Sequence, residues 1–179
     1  MPPRKQSLSQ RSYQVRLDWG APGATDVGAD ADVVVLVDVL SHETGKVLQS
    51  TSTTVVAGDL RNRTALANWL LERQAAKGER LVIAIIAAGS ARVEGSLRFA
   101  VEDFLAAGAI VDALASVGID YCSPEAAAAS AAFVALRPAI GHLVTASVGG
   151  SEQRLLDPDF DFSALSCIDS SRDVPVLKE

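Results

Sequence analysis

Three dense hydrophobic runs organise the chain: residues 32–40 (DVVVLVDVL), 53–58 (TTVVAG) and 80–89 (RLVIAIIAAG). Near-continuous β-branched runs of this length predict strands buried on both faces, the pattern of a parallel sheet. Residues 13–20 (YQVRLDWG) alternate instead and predict an edge strand. Between the second and third runs, Leu66, Trp69, Leu70 and Arg73 recur at helical spacing, and Gly78 supplies a stop. Strand, helix and strand form a β-α-β unit. Its crossover should be right-handed, with the strands at 54–57 and 81–87 as parallel neighbours.

Further along, Leu97, Val101, Phe104, Gly108, Val111 and Ala115 share a helical stripe, with Ser96 placed to cap the helix. Glycine in mid-helix costs about 1 kcal/mol relative to alanine, so Gly108 predicts a close neighbour. Glu102 and Asp103, adjacent and of like charge, lie off the stripe. A second helix is signalled by Ser123 as cap, Pro124 at its first position and Glu125 in its first turn. Residues 21–31 (APGATDVGADA) read as a Gly/Ala/Asp loop, and residues 41–52 (SHETGKVLQSTS) break the pattern. The expected fold class is α/β, a three-layer arrangement in which a mostly parallel or mixed sheet is flanked by helices. A disordered tail should occupy residues 1–12 and a single domain residues 13–179.

Composition sharpens this picture. Hydrophobic residues make up 49% of the chain but aromatics only 5%, which suits a sheet under closely packed helices better than a β-sandwich. A net charge of −6 argues against nucleic acid as a partner, because binding it requires a basic face. The one basic cluster, Arg4, Lys5 and Arg11, falls in the expected tail. No stretch reads as a signal peptide or as an uninterrupted membrane span, so the expectation is a soluble, cytoplasmic chain without a membrane partner. Cys122 and Cys167 form no CxxC unit and read as buried or idle thiols, with a disulfide between them as the alternative the sequence leaves open.

Candidate chemistry lies where the strands end, since open parallel sheets bind ligands beyond their carboxyl edges. Asp38, Asp59 and the Glu102-Asp103 pair can gather on one such rim. Clustered carboxylates there suit Mg2+, a hard ion that takes oxygen ligands. Equally, each acid can be a solvated loop or helix-start residue. Ser147 to Gly150 (SVGG) can cradle an anion through backbone N–H groups or form an ordinary Gly-Gly turn. No P-loop, G-x-G-x-x-G or G-x-S-x-G pattern is present, and His42 and His142 lack zinc spacing.

Six stretches in order resemble the 2-phosphosulpholactate phosphatases, a family of Mg2+-dependent hydrolases: ADVVVLVDVLS, VVAGDLRNRTALANWL, GSLRFAVEDFLAAGAIVDAL, SPEAAAASAAF, SVGGSEQRLL and DSSRDVPVL. The resemblance runs from about Tyr13 to the C-terminus. It implies Asp38, Glu102 and Asp103 as catalytic and metal residues. It also implies Arg61, Asn62, Ser147 and Gly149 as contacts to a small phosphorylated acid substrate. The family normally has several dozen residues, including an Asn-Gly loop, where HETGKVLQSTST stands here. The chain is therefore expected to be a shortened member, either an active phosphatase or an inactive relative that binds a small anion or a partner subunit. Lost strands would leave an open sheet edge, which predicts self-association into a homo-oligomer.

Overall fold

A computed structural model describes residues 7–40 and 44–179. The buried β-branched runs become the parallel strands of one sheet. In chain order the elements are β1 (Val15–Trp19), α1 (Gly20–Gly28), β2 (Val33–Val37), α2 (Thr44–Gln49), β3 (Val55–Ala57), α3 (Arg63–Lys77) and β4 (Ile83–Ala87). A short hairpin follows, β5 (Ser90–Ala91) and β6 (Leu97–Arg98). After it come α4 (Val101–Ser116), α5 (Pro124–Leu136), a 3-10 turn (Arg137–Ala139), α6 (Ile140–Ala146), α7 (Val148–Leu156), α8 (Phe162–Ser166) and β7 (Val176–Lys178).

The five-stranded sheet has the order β1-β4-β2-β3-β7, with β7 alone antiparallel. This corrects the expectation that β3 and β4 are neighbours. They are parallel, but β2 lies between them, pairing Val34 with Val55 on one side and with Ala84 on the other. Every residue of β2 and β4 is buried. Residues of α1 and α2 pack on one face of the sheet, around Val34, Leu36, Ala84 and Ile86. Residues of α3, α4, α5 and α6 pack on the other, around Val35, Val37, Ile83 and Ile85.

Local departures from the sequence reading have packing causes. Residues 20–28 are a helix rather than a loop. Their small residues let α1 approach the sheet, and a Cβ at Gly23 would lie 2.8 Å from Asp18 Cβ. Ser96 caps no helix. Its hydroxyl bonds Glu94 in the hairpin turn, and α4 starts after Ala100. Residues 7–12, expected in the tail, instead fold along β1. The Gln10 side-chain amide donates to Leu17 O at 2.8 Å and accepts from Leu17 N at 3.1 Å, in the manner of a neighbouring strand. Tyr121 O accepts from Val15 N, and Ser123 N donates to Val15 O. The outer edge of β1 is thereby covered, which removes one route for edge-driven self-association. Residues 1–6, with Arg4 and Lys5, lie outside the described residues.

Other expectations hold. Gly78 closes α3 in the left-handed conformation, φ 75°, and Ser123 caps α5 by accepting from Ala126 N at 3.2 Å. Gly108 sits against the Ala129 carbonyl of α5, where a Cβ would overlap it. By length and composition alone, the 23-residue helical stretch Pro124–Ala146 is apolar enough to cross a bilayer, with a mean hydropathy of 1.4, although Arg137 and Pro138 interrupt its apolar run.

Candidate active site

At the carboxyl edge of the sheet, Val37 of β2 pairs with Ala87 of β4. The chain leaves β2 through Asp38 and Val39, and β4 through Ala88 and Gly89. The first turn of α4 is seated over this junction. Asp103 Oδ1 accepts from Val39 N and Oδ2 from Gly89 N, each at 2.9 Å. One carboxylate thus clamps two strand ends that are remote in sequence. Gly89 is required in the second of them, with φ 69° and a virtual Cβ only 2.8 Å from Arg98 O.

Glu102 and Asp103 are both buried, 3% and 2% exposed, although the stripe at 97–115 placed them off the core face. The stripe fails because α4 is enclosed on nearly all sides. Its buried set runs through Leu105 to Val111, while Phe104 joins Trp19 and Phe99 in an aromatic cluster. Burial pushes the Asp103 carboxyl well above the usual carboxylate range. The charges of Asp38 and Glu102 push the same way, against the two backbone N–H groups. Asp38 and Glu102 are therefore close enough to Asp103 for their charges to act on it.

The two oxygens of Glu102 differ. Oε2 is buried with no hydrogen-bond partner. Oε1 lies against the first turn of α7, where a Cβ at Gly149 would overlap it. The Gly149 position thus needs glycine, because the Glu102 carboxylate occupies the space of a side chain. Asp38 is half-buried, and the Thr44 hydroxyl donates to its Oδ2 at 2.8 Å. Thr44 lies in the stretch that broke the sequence pattern, so nothing in the sequence marked it. Ser41, His42 and Glu43, which follow Asp38 closely, lie outside the described residues.

The remaining candidates divide. Asp59, Arg61 and Asn62 follow β3 on the same edge, where Gly58 N donates to Leu36 O at 2.9 Å. Arg61 Nε donates to Asp59 Oδ2 at 2.9 Å, so the guanidinium is already ion-paired. Asn62 is consumed by the backbone. It accepts from Asp59 N and donates to Ala57 O and Asp173 O. Ser147 is buried and caps α7, accepting from Gly150 N at 2.8 Å while donating to Val144 O at 2.9 Å. Asn62 and Ser147 therefore each hold backbone groups. Among the described residues no group of three or more histidine, cysteine, aspartate or glutamate side chains is placed to hold a metal ion. The trio Asp38, Glu102 and Asp103 shares one rim, but both oxygens of Asp103 are taken by the backbone.

A cleft of about 150 Å³ opens on the same edge, between the start of α1, α2 and the β5-β6 hairpin, with Gly20, Lys46 and Ser90 in its wall. The Ser90 hydroxyl is buried without a partner. None of the three acids lines this cleft.

A family model described as 2-phosphosulpholactate phosphatase matches residues 41–179. The match takes in α4, the Gly149 turn and the C-terminal strand. It leaves out β1, α1 and β2, so Asp38 stands beyond the matched residues. No curated protein matches the chain. With Glu102, Asp103 and Gly149 all inside a match that spans most of its length, the chain belongs to the 2-phosphosulpholactate phosphatase family.

Proposed function

We propose that the chain is a Mg2+-dependent phosphomonoester hydrolase whose substrate is a small phosphorylated acid, 2-phosphosulpholactate being the family's example. The observation that carries this reading is the buried, unpartnered Oε2 of Glu102. An unsatisfied carboxylate oxygen inside a protein is costly unless a cation or donor completes it. Glu102 and Asp38 offer carboxylate oxygens to an ion that binds through one or two carboxylates and otherwise keeps water and substrate oxygens. Bound there, Mg2+ would neutralise charge on the phosphoryl oxygens. Asp103 acts as a positioning residue: it fixes the ends of β2 and β4 so that Asp38 and Gly89 keep their places. Gly149 leaves room for the Glu102 carboxylate.

A second reading is an inactive relative that binds a small anion or a partner subunit. It is favoured by the commitment of Asn62, Ser147 and Asp103 to backbone groups. Phosphate release from a panel of phosphomonoesters, with and without Mg2+, separates the two. Mg2+-dependent release that is lost in Glu102→Gln supports the hydrolase. Thermal unfolding adds an independent readout, since Mg2+ at a hundred times its Kd should stabilise the fold by about 2.7 kcal/mol. A chain that neither releases phosphate nor gains stability from Mg2+ is the inactive relative.

A further inference from the structure

The cleft between the start of α1, α2 and the β5-β6 hairpin takes no part in the proposed reaction, since none of Asp38, Glu102 and Asp103 lines it. Val47, Ala88 and Leu97 give it an apolar wall. Leu97 closes one side against Gly20, where a Cβ would stand 3.1 Å from its Cδ1. The polar part of the wall is made of donors. Gly20 and Ala21 belong to the first turn of α1, a nine-residue helix with no side-chain cap from Trp19 and no acid in its first turn. Their N–H groups therefore lie at an uncapped, positive helix end. Lys46 adds a cation from α2. On β5 the Ser90 hydroxyl is buried with no hydrogen-bond partner. No aspartate or glutamate lines the cleft. Glu94 of the hairpin is exposed and accepts from the Ser96 hydroxyl.

We propose that this cleft binds a small organic carboxylate with a compact apolar body. The orphan hydroxyl and the uncapped helix start lie on different elements and call for the same partner, an acceptor of hydrogen bonds with negative charge. Lys46 favours the same sign of charge. The apolar wall decides the rest of the ligand. A bare inorganic anion would leave Val47, Ala88 and Leu97 against water. A neutral apolar molecule would leave the Ser90 hydroxyl and the helix N–H groups unanswered. Water would answer the hydroxyl but not the charge. A carboxylate on an apolar body satisfies both parts of the wall. The volume of about 150 Å³ sets its size, since an apolar cavity of about that volume takes up benzene. The cleft is separate from the Glu102 rim, so the proposal does not depend on the hydrolase reading.

Benzoate is the probe, titrated into the isotope-labelled full chain without Mg2+ or any phosphorylated compound and followed by amide NMR. The signals of Gly20, Ala21, Ser90 and Ala91 should shift saturably at millimolar benzoate, while those of Gly108 and Gly149 stay in place. Lys46→Glu and Ser90→Ala should each weaken binding about tenfold. The circular dichroism spectrum of Lys46→Glu should be unchanged, because Lys46 is exposed. Benzyl alcohol keeps the ring and loses the charge, and inorganic phosphate keeps charge and loses the ring. Each should bind about tenfold more weakly than benzoate or less. Absence of shifts at the named amides, equal binding by either control, or benzoate affinity unchanged in Lys46→Glu or in Ser90→Ala would overturn the proposal.

Discussion

Glu102 and Asp103 are neighbours in sequence, yet substitution should affect them in opposite ways. Asp103 accepts two buried N–H groups. Asparagine there turns one acceptor into a donor, so one backbone N–H faces an NH2 group. Asp103→Asn should cost about 1–3 kcal/mol, read by urea unfolding without metal. Glu102→Gln removes a buried charge whose Oε2 has no partner. It should leave metal-free stability unchanged or raise it, and should abolish stabilisation by Mg2+. If Glu102→Gln unfolds the chain as readily as Asp103→Asn, the side chain is structural and the hydrolase reading fails. Asp169 supplies a pH test. Burial opposes its ionisation, but hydrogen bonds from Thr64 and the Arg63 guanidinium outweigh that and hold its carboxyl below the usual range. A lowered folded value means the stabilisation is present above the unfolded carboxylate pKa of about 3.9 and fades as pH falls through the folded value. Asp169→Asn should therefore melt earlier than wild type at neutral pH, with the gap closing in acid. A gap independent of pH would mean that the carboxylate charge is not what matters there.

The contact between α4 and α5 is decided by a missing side chain. Alanine at Gly108 would gain about 1 kcal/mol in helix propensity. Its Cβ would overlap the Ala129 carbonyl, which is backbone and cannot rotate away. Overpacking of this kind typically costs about 1–3 kcal/mol, so Gly108→Ala should be net destabilising in thermal melts. A neutral or stabilising result would show that α5 can shift outward freely. Gly149→Ala is the corresponding probe on α7. The new methyl meets the Glu102 carboxylate, and the expected result is loss of the Mg2+ response with circular dichroism retained. Elements with strong local signals were legible. The buried strands announced themselves through valine and isoleucine runs, and Ser123-Pro124 marked the start of α5. Helix α1 was not legible, because Gly20, Gly23 and Gly28 are poor helix formers in isolation. They are tolerated because the sheet requires small residues at that distance.

Across the whole molecule, stability should grade from the centre of the sheet outward. Strands β2 and β4 are paired on both sides and buried throughout. Strand β7 has three residues, two of them exposed, and the β5-β6 hairpin carries only two residues a side. Native-state hydrogen exchange should protect β2 and β4 amides to the global unfolding free energy and release β7 and the hairpin earlier. Early exchange of β2 would contradict the strand order.

The sequence by itself determined the strands β1 to β4 and the helices α3, α4 and α5, since periodicity and capping are local properties carried within about a dozen residues. It also brought the acids to the correct edge, because Asp38 directly follows a strand and Glu102-Asp103 opens a helix. Tertiary structure decided the strand order, with β4 inserted between β1 and β2, because pairing depends on long-range packing that no local pattern records. It alone separated the roles of the two acids. Asp103 became a clamp because Val39 and Gly89, far from it and from each other in the chain, both aim their N–H groups at it. Glu102 kept an unpartnered Oε2 because the fold buries the first turn of α4, with only Oε1 set against the turn at Gly149.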